Sequence, residues 1–462
     1  MTSEVVVMNS LAVALAADSA ATVTAGSDNK IYNAADKLFM LSKHHPVGVM
    51  VYSNAALLGV PWETILKMFR RLLGSTEYPR LVDYGNRLIE FLNDSRNLFP
   101  QAVEDRFYLR LVKTLFDQIA DDIRDQLFAQ FLEDDKEQTT DEKREFAKNV
   151  IIEARDEWST LSNVTCFEVK TGEAMKTGEA MAARHSGKVN ELMMKAFEDL
   201  SPDAVMTTAL RDLAIMLVGK DKIPREALSG LVIAGFGRDE HFPVMQSFEL
   251  GEIYQGKLKY RPGKVVAIDG DVTPSIIVPF AHAEMVNTFL YGVKPNLERR
   301  WMIEVVALIS KLPGTIIDLV TDLSPEQQLQ WKNKMAPVST EIARHFFEKL
   351  TQYRKQEHLS PIYQAIANMS KGELAHAASS LVNLNSFQKR MSMDPETVGG
   401  PIDVAVITKG DGFIWTDRKH YFKPELNQHF FRNYYANAKA TGERDDQTPQ
   451  AEAWRNESDA GG

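Results

Sequence analysis

Cysteine is almost missing from the chain: Cys166 is the only one in 462 residues. It cannot form an intrachain disulfide, and its isolation excludes every multi-cysteine zinc or iron–sulfur centre. Basic excess is also missing, with 53 Lys and Arg against 63 Asp and Glu and a net charge of −10. No global positive field is available to hold nucleic acid or an anionic membrane. No run of 18 apolar residues occurs, so no transmembrane helix is expected. The apolar start (Val5-Val6-Val7, then Leu11 to Ala17) lacks the basic flank of a secretory signal. The first basic residue is Lys30, and Glu4 stands where positive charge belongs. A cytoplasmic protein is the expectation, one that binds neither nucleic acid nor membrane. Phosphate-binding glycine loops, His-Glu-x-x-His and Gly-x-Ser-x-Gly are all absent, which disfavours P-loop, dinucleotide, zincin and α/β-hydrolase chemistry. The histidines are scattered, and no metal site is expected.

What is present is an ordinary globular balance, 44% hydrophobic and 25% charged. The texture changes along the chain. Residues 2–60 read as short apolar strands: Val5 to Val7, Leu11 to Ala17, Lys37 to Leu41 and Val47 to Tyr52. Residues 61–224 switch to helical periodicity, with Trp62, Ile65, Leu66, Phe69 and Leu72 on one face. The charge run at 133–145 reads as a solvated connection between helices. Residues 170–181 repeat Lys-Thr-Gly-Glu-Ala-Met twice, read as a duplication in a tolerant surface loop. Strands return at 225–280: Leu231 to Gly237, Val244 to Leu250, Gly251 to Lys259 and Val265 to Ile268. Residues 283–390 are helical again, and Ser324-Pro325-Glu326 supplies a cap, a first position and a first-turn acid. Two strands flank Lys409-Gly410-Asp411-Gly412, and from about 436 the polar composition predicts a disordered tail. Segregated strands and helices predict an α+β fold.

Thr2 carries the chemical interest. Removal of Met1 would leave a threonine whose hydroxyl is a nucleophile and whose α-amine is a base. The reference pKa of that amine is about 7.7–8.0. Asp18 and Lys37 follow on neighbouring strands. A lysine ammonium beside the threonine favours loss of the hydroxyl proton and keeps the amine neutral, and an aspartate holds the lysine charged and oriented.

These segments, Thr2-Ser3-Glu4-Val5-Val6-Val7, Val13-Ala14-Leu15-Ala16-Ala17-Asp18-Ser19 and Asp36-Lys37-Leu38-Phe39-Met40-Leu41, resemble the proteasome β-subunit family of N-terminal nucleophile hydrolases, including its bacterial ring-forming peptidases. The spacing of 16 from Thr2 to Asp18 is that of the family. The likeness continues through His45 to Met50, Leu231 to Phe236, Phe280 to Gly292 and Gly399 to Ile407. It implies a four-layer αββα sandwich formed by 2–97 and 225–435, with helical insertions at 98–224 and 311–360 and the tail at 436–462. It further implies Thr2, Asp18, Lys37 and Asp394 as catalytic residues, Tyr52 or Ser53 as oxyanion donors, and Ala21, Ala35 and Met50 lining the substrate pocket. The chain departs from the pattern where Val51-Tyr52-Ser53-Asn54 lacks the family's glycine and where Val398 replaces a bracing serine. The implied activity is threonine-dependent peptide or amide hydrolysis without metal or organic cofactor. Self-association into a ring or another homo-oligomer is implied too, with any unfoldase partner unknown. A non-catalytic assembly subunit and a hydrolase of non-peptide amides are the alternatives.

Overall fold

The structure, a computed structural model, describes residues 3–25, 28–32, 35–134, 139–167, 171–320, 323–391, 399–420, 422–429 and 432. Thr2, Asp394, Val398 and the tail at 436–462 lie outside the described residues. The chain divides into two units, residues 1–417 and 418–462. Among its described residues the second carries a short 3-10 turn, Pro424–Leu426.

The elements of the first unit run β1 (Ser3–Asn9), β2 (Val13–Asp18), β3 (Ala21–Ala25), β4 (Asp28–Tyr32), β5 (Leu38–Met40), β6 (Val47–Ser53), β7 (Ala56–Leu57) and β8 (Val60–Pro61). Helices α1 (Trp62–Leu73), α2 (Leu81–Asp94), α3 (Gln101–Asp134), α4 (Thr140–Thr160), α5 (Glu173–Arg184), α6 (Ser186–Ala196) and α7 (Ala204–Gly219) follow. Then come β9 (Ser229–Gly235), β10 (Val244–Tyr254), β11 (Lys257–Ala267) and β12 (Ser275–Ala281). Helices α8 (Glu284–Tyr291), α9 (Pro295–Asp318), α10 (Pro325–Arg354), α11 (Ser360–Ala367) and α12 (Lys371–Met391) precede β13 (Ile402–Thr408) and β14 (Gly412–Asp417). This is the expected α+β organisation. Among the described residues no helix is long and apolar enough to cross a membrane.

Two antiparallel sheets organise the unit, ordered β12-β1-β2-β13-β14 and β11-β10-β9-β6-β5. The alternation of side chains along each strand sets what fills each face. Val6, Leu15 and Ala405 of the first sheet meet Met50, Val232 and Met245 of the second in one buried cluster. The opposite parity, Val5, Ala14 and Val404, packs on Leu374, Ala378 and Val382 of α12. Val49, Leu231 and Phe248 pack on Ile65 and Phe69 of α1 and Leu88 of α2. Val5, Val6 and Val7 are therefore all fully buried, each contributing roughly 1.5–2 kcal/mol. A continuous apolar run is what a strand covered on both faces requires.

Helices α3 to α7 carry a separate core, with Phe116, Phe167, Phe197 and Leu213 fully buried in it. The Lys-Thr-Gly-Glu-Ala-Met duplication lies here, and the loop reading is corrected. Its first glycine, Gly172, is the left-handed residue (φ +86°) before α5, and the helix takes in Glu173 to Met175 of the first copy and all of the second. Ala174, Thr177, Gly178 and Met181 are buried at helical spacing. A Cβ on Gly178 would sit 2.3 Å from the carbonyl oxygen of Ile215 in α7. Backbone cannot yield as a side-chain tip can. Gly178→Ala is therefore expected to destabilise the unit by about 1–3 kcal/mol despite alanine's better helix propensity, read from the midpoint of urea unfolding. An unchanged midpoint would show that α5 and α7 do not pack this closely.

A second correction concerns Gly251. The sequence suggests a strand break there, but β10 runs through it and turns at Gln255 and Gly256, both left-handed. Gly251 instead falls where the register between β10 and β11 shifts, between Leu250 and Ile253, the position of a bulge. The helix start at Ser324 is as expected: its hydroxyl accepts from the Gln327 N–H in a capping box.

Candidate active site

The start of β1, the end of β2 and the residue before β5 converge on Asp18. Its side chain is buried. Oδ1 accepts the Ser3 N–H at 3.0 Å and the Lys37 Nζ at 2.5 Å. Oδ2 accepts the Gly399 N–H at 2.9 Å. Three donors from three distant segments thus satisfy one carboxylate, as a buried charge demands. Ser19 reinforces the join. Its N–H donates to the Gly399 carbonyl (3.2 Å), its carbonyl accepts from Ala35 (3.0 Å) and its hydroxyl donates to the Pro401 carbonyl (2.6 Å).

Lys37 is buried and also lies 3.7 Å from Glu4. Glu4 shares the parity of Val6 and Met8, so its carboxylate faces the space between the sheets. Two carboxylates therefore flank one ammonium in a dry environment, where charge pairs interact far more strongly than in water. Ser3 has the other parity. Asn385 of α12 donates from Nδ2 to the Ser3 hydroxyl (2.6 Å) and to the His282 carbonyl (2.9 Å). The first described residue of β1 is thus held at its amide by Asp18 and at its side chain by Asn385.

Beside Lys37 opens a cleft of about 290 Å³ lined by Ala35, Asp36, Lys37, Tyr52, Ser53 and Trp62, among others. The Val51 N–H donates to the Lys37 carbonyl at 2.9 Å. N–H groups two residues apart point to the same strand edge, so that of Ser53 is directed beyond the start of β5, toward the cleft. Ser53 has φ +68°, an uncommon left-handed conformation for a residue other than glycine. The Tyr52 ring packs on Phe280 with centroids 5.5 Å apart and lies over Gly230, where a Cβ would come within 1.9 Å of it. Only glycine leaves room there. Burial, then Glu249 and Glu4, push the Tyr52 hydroxyl well above the usual phenol range, so it stays a neutral donor or acceptor at physiological pH.

Of the residues singled out in the sequence, Asp18 and Lys37 are in direct contact, and Ala35, Tyr52 and Ser53 share the cleft with Lys37. Met50 is fully buried between the sheets, opposite Leu38, and is not among the cleft-lining residues. Ala21 belongs to β3, and its side chain is outside the description, as are Thr2 and Asp394 entirely. The sequence reading passed over Glu4, Ser3, Asn385 and Gly399 as site residues. Glu4 did carry a signal, a lone charge at the head of an otherwise apolar strand. Asn385 carried none, because a polar residue on an amphipathic helix is unremarkable until its partner is known.

No family model matches the chain, and no curated protein matches it in sequence. Among the solved structures similar to it at low level are two Anbu chains. The Anbu (Gly-1) mutant from Hyphomicrobium sp. strain MC1 has 12% identity over 97% of this chain and 100% of that one, with a TM-score of 0.24. Anbu (ancestral beta-subunit) from Yersinia bercovieri has 13% identity over 94% and 97%, with a TM-score of 0.26. Likeness at that level carries no argument about fold or activity. The placement in the proteasome β-subunit family is therefore corrected: no family model supports it, and the backbone agreement is too poor to. Continuous apolar strands meet the needs of any sheet covered on both faces, so that part of the likeness needs no common family.

Proposed function

We propose that the chain is a threonine-dependent hydrolase of peptide or related amide bonds, with Thr2 as nucleophile once Met1 is removed. The observation that carries the reading is the single carboxylate of Asp18 binding both the Ser3 N–H and the Lys37 ammonium. It fixes the point to which Thr2 is covalently joined relative to a buried cation.

The α-amine takes the hydroxyl proton as Oγ attacks the amide carbonyl. Lys37 stabilises the developing alkoxide and disfavours a second positive charge on the amine. The Ser53 N–H, supported by Tyr52, receives the oxyanion. The C–N bond breaks, the leaving amine carries off the proton, and an ester to Thr2 remains. Water, deprotonated by the same α-amine, hydrolyses that ester and restores the hydroxyl. Asp394 belongs to the same proposal as a bracing acid. Ala35 and Ala21 belong to it as the apolar setting of the substrate, whereas Met50, buried between the sheets, does not. The two stacked sheets with helices outside support the finer fold reading, a four-layer αββα nucleophile-hydrolase sandwich. It is formed from 2–97 and 225–435, with insertions at 98–224 and 311–360.

The test is hydrolysis of a panel of short fluorogenic peptide amides by untagged protein. Thr2→Ala is expected to lose turnover by at least about 100-fold and Thr2→Ser to keep part of it, because only a hydroxyl can form the ester. Equal rates for wild type and Thr2→Ala would sink the assignment.

A further inference from the structure

The hairpin of α9 and α10 leaves its apolar stripes bare. The two helices have 24 and 30 residues, yet only Ile317, Ser339 and Ala343 are buried in them. Trp301, Leu308, Leu312 and Ile316 of α9 are about half exposed or more, and so are Trp331 and Ile342 of α10. Their spacings of 4, 7 and 11 residues are those of one helix face. Both stripes open on the same side at one point. Trp301, Met302 and Val305 face Phe346, Leu350 and Tyr353 across an apolar pocket of about 260 Å³. Monomeric proteins rarely leave so much contiguous apolar surface in water.

We propose that this hairpin is a self-association surface, on which a second copy of the chain lays its own hairpin to close a four-helix bundle. Charge selects the occupant. Residues 295–354 carry seven acidic and eight basic side chains, whereas the whole chain has net charge −10. Two copies repel elsewhere and do not repel here. The hairpin also lacks the basic excess with which interfacial helices hold anionic lipid. Size agrees. At 1.5 Å per residue α9 is about 36 Å long, and two helices side by side are about 20 Å wide. One face thus offers roughly 700 Å² per copy, close to the ~800 Å² per partner of a stable interface. Each hairpin presents the same patch, so a two-fold pairing is closed and self-limiting. The inference is independent of the hydrolase reading.

Sedimentation equilibrium of the full chain tests it. At about 10 μM the wild type is expected at twice the 52.0 kDa chain mass. Leu308→Glu combined with Ile342→Glu is expected to sediment as monomer. Association would be at least about 100-fold weaker, because two charges per copy would be buried without partners. Both positions are exposed, so the monomer keeps its fold, which an unchanged circular dichroism spectrum and urea midpoint would verify. Leu72→Glu, an equally exposed change on α1, should leave the dimer intact. A monomeric wild type overturns the proposal, and flotation of that monomer with anionic vesicles would assign the face to a membrane. A dimer that survives the double substitution also overturns it, by placing the interface elsewhere.

Discussion

Asp18→Ala is expected to abolish hydrolysis and to cost about 3–5 kcal/mol of stability. The substitution strips the buried Lys37 ammonium of its nearest anion and leaves the Ser3 and Gly399 N–H groups without their acceptor. Removing one member of a buried pair is costly because the survivor keeps its desolvation penalty and loses its compensation. The three lost bonds share one carboxylate, so their separate costs do not add. Asp18→Asn separates charge from shape. With its oxygen in the Oδ1 place the amide can still accept from Ser3 and Lys37, leaving only the Gly399 N–H without an acceptor, so the loss of stability should be smaller. Hydrolysis should still fall by at least about 100-fold, since a neutral group no longer pairs with Lys37. Urea unfolding and initial rates measured on both variants check this. Full activity in Asp18→Asn would remove the carboxylate's charge from the mechanism.

The second large effect lies away from the site. Lys259 of β11 is buried, and its Nζ donates to the carbonyls of Leu217 (2.8 Å) and Lys222 (2.9 Å). Burial pushes this ammonium down from 10.5 to about 7, against the opposing pull of Cys166 and Asp221. The unfolded chain therefore binds more protons than the folded one between pH 7 and 10.5. Stability must rise with pH through that window, and the penalty is fully present below it. The expected gain attributable to Lys259 is about 2 kcal/mol between pH 7 and 9. Lys259→Met, which keeps the length of the side chain without the charge, should flatten that rise. The check is the difference in urea midpoint between wild type and variant at the two pH values. A difference that does not change with pH would mean that the ammonium is solvated or paired in the folded state.

How much of this was legible in the sequence depends on where the deciding contacts lie. The α+β class was, because Val5 to Val7 and Leu231 to Ala234 cannot be half-exposed strands, and the periodicity from Trp62 onward cannot be sheet. The pairing of Asp18 with Lys37 was anticipated, but not its route: the two meet across the sheets, Asp18 ending β2 of one and Lys37 preceding β5 of the other, and do not lie on neighbouring strands. The roles of Asn385 and Gly399 were not legible, since each reaches the site from more than 380 positions away along the chain, and spacing says nothing at that distance. The second copy of the duplicated hexapeptide misled because helix α5 is decided by the close approach of Gly178 to α7, a tertiary contact that overrides local composition. Gly251 misled for the converse reason, since a glycine can mark a bulge as readily as a turn.

The central claim is that Thr2 becomes a nucleophile with a free α-amine. The intact mass of untagged protein, before and after a peptide epoxyketone, tests it most directly, because that electrophile closes a ring on a hydroxyl and an amine of one residue. Loss of Met1 followed by a single adduct, absent from Thr2→Ala, is the expected result. Retained Met1, or a chain without Met1 that hydrolyses amides yet forms no adduct on Thr2, would contradict it.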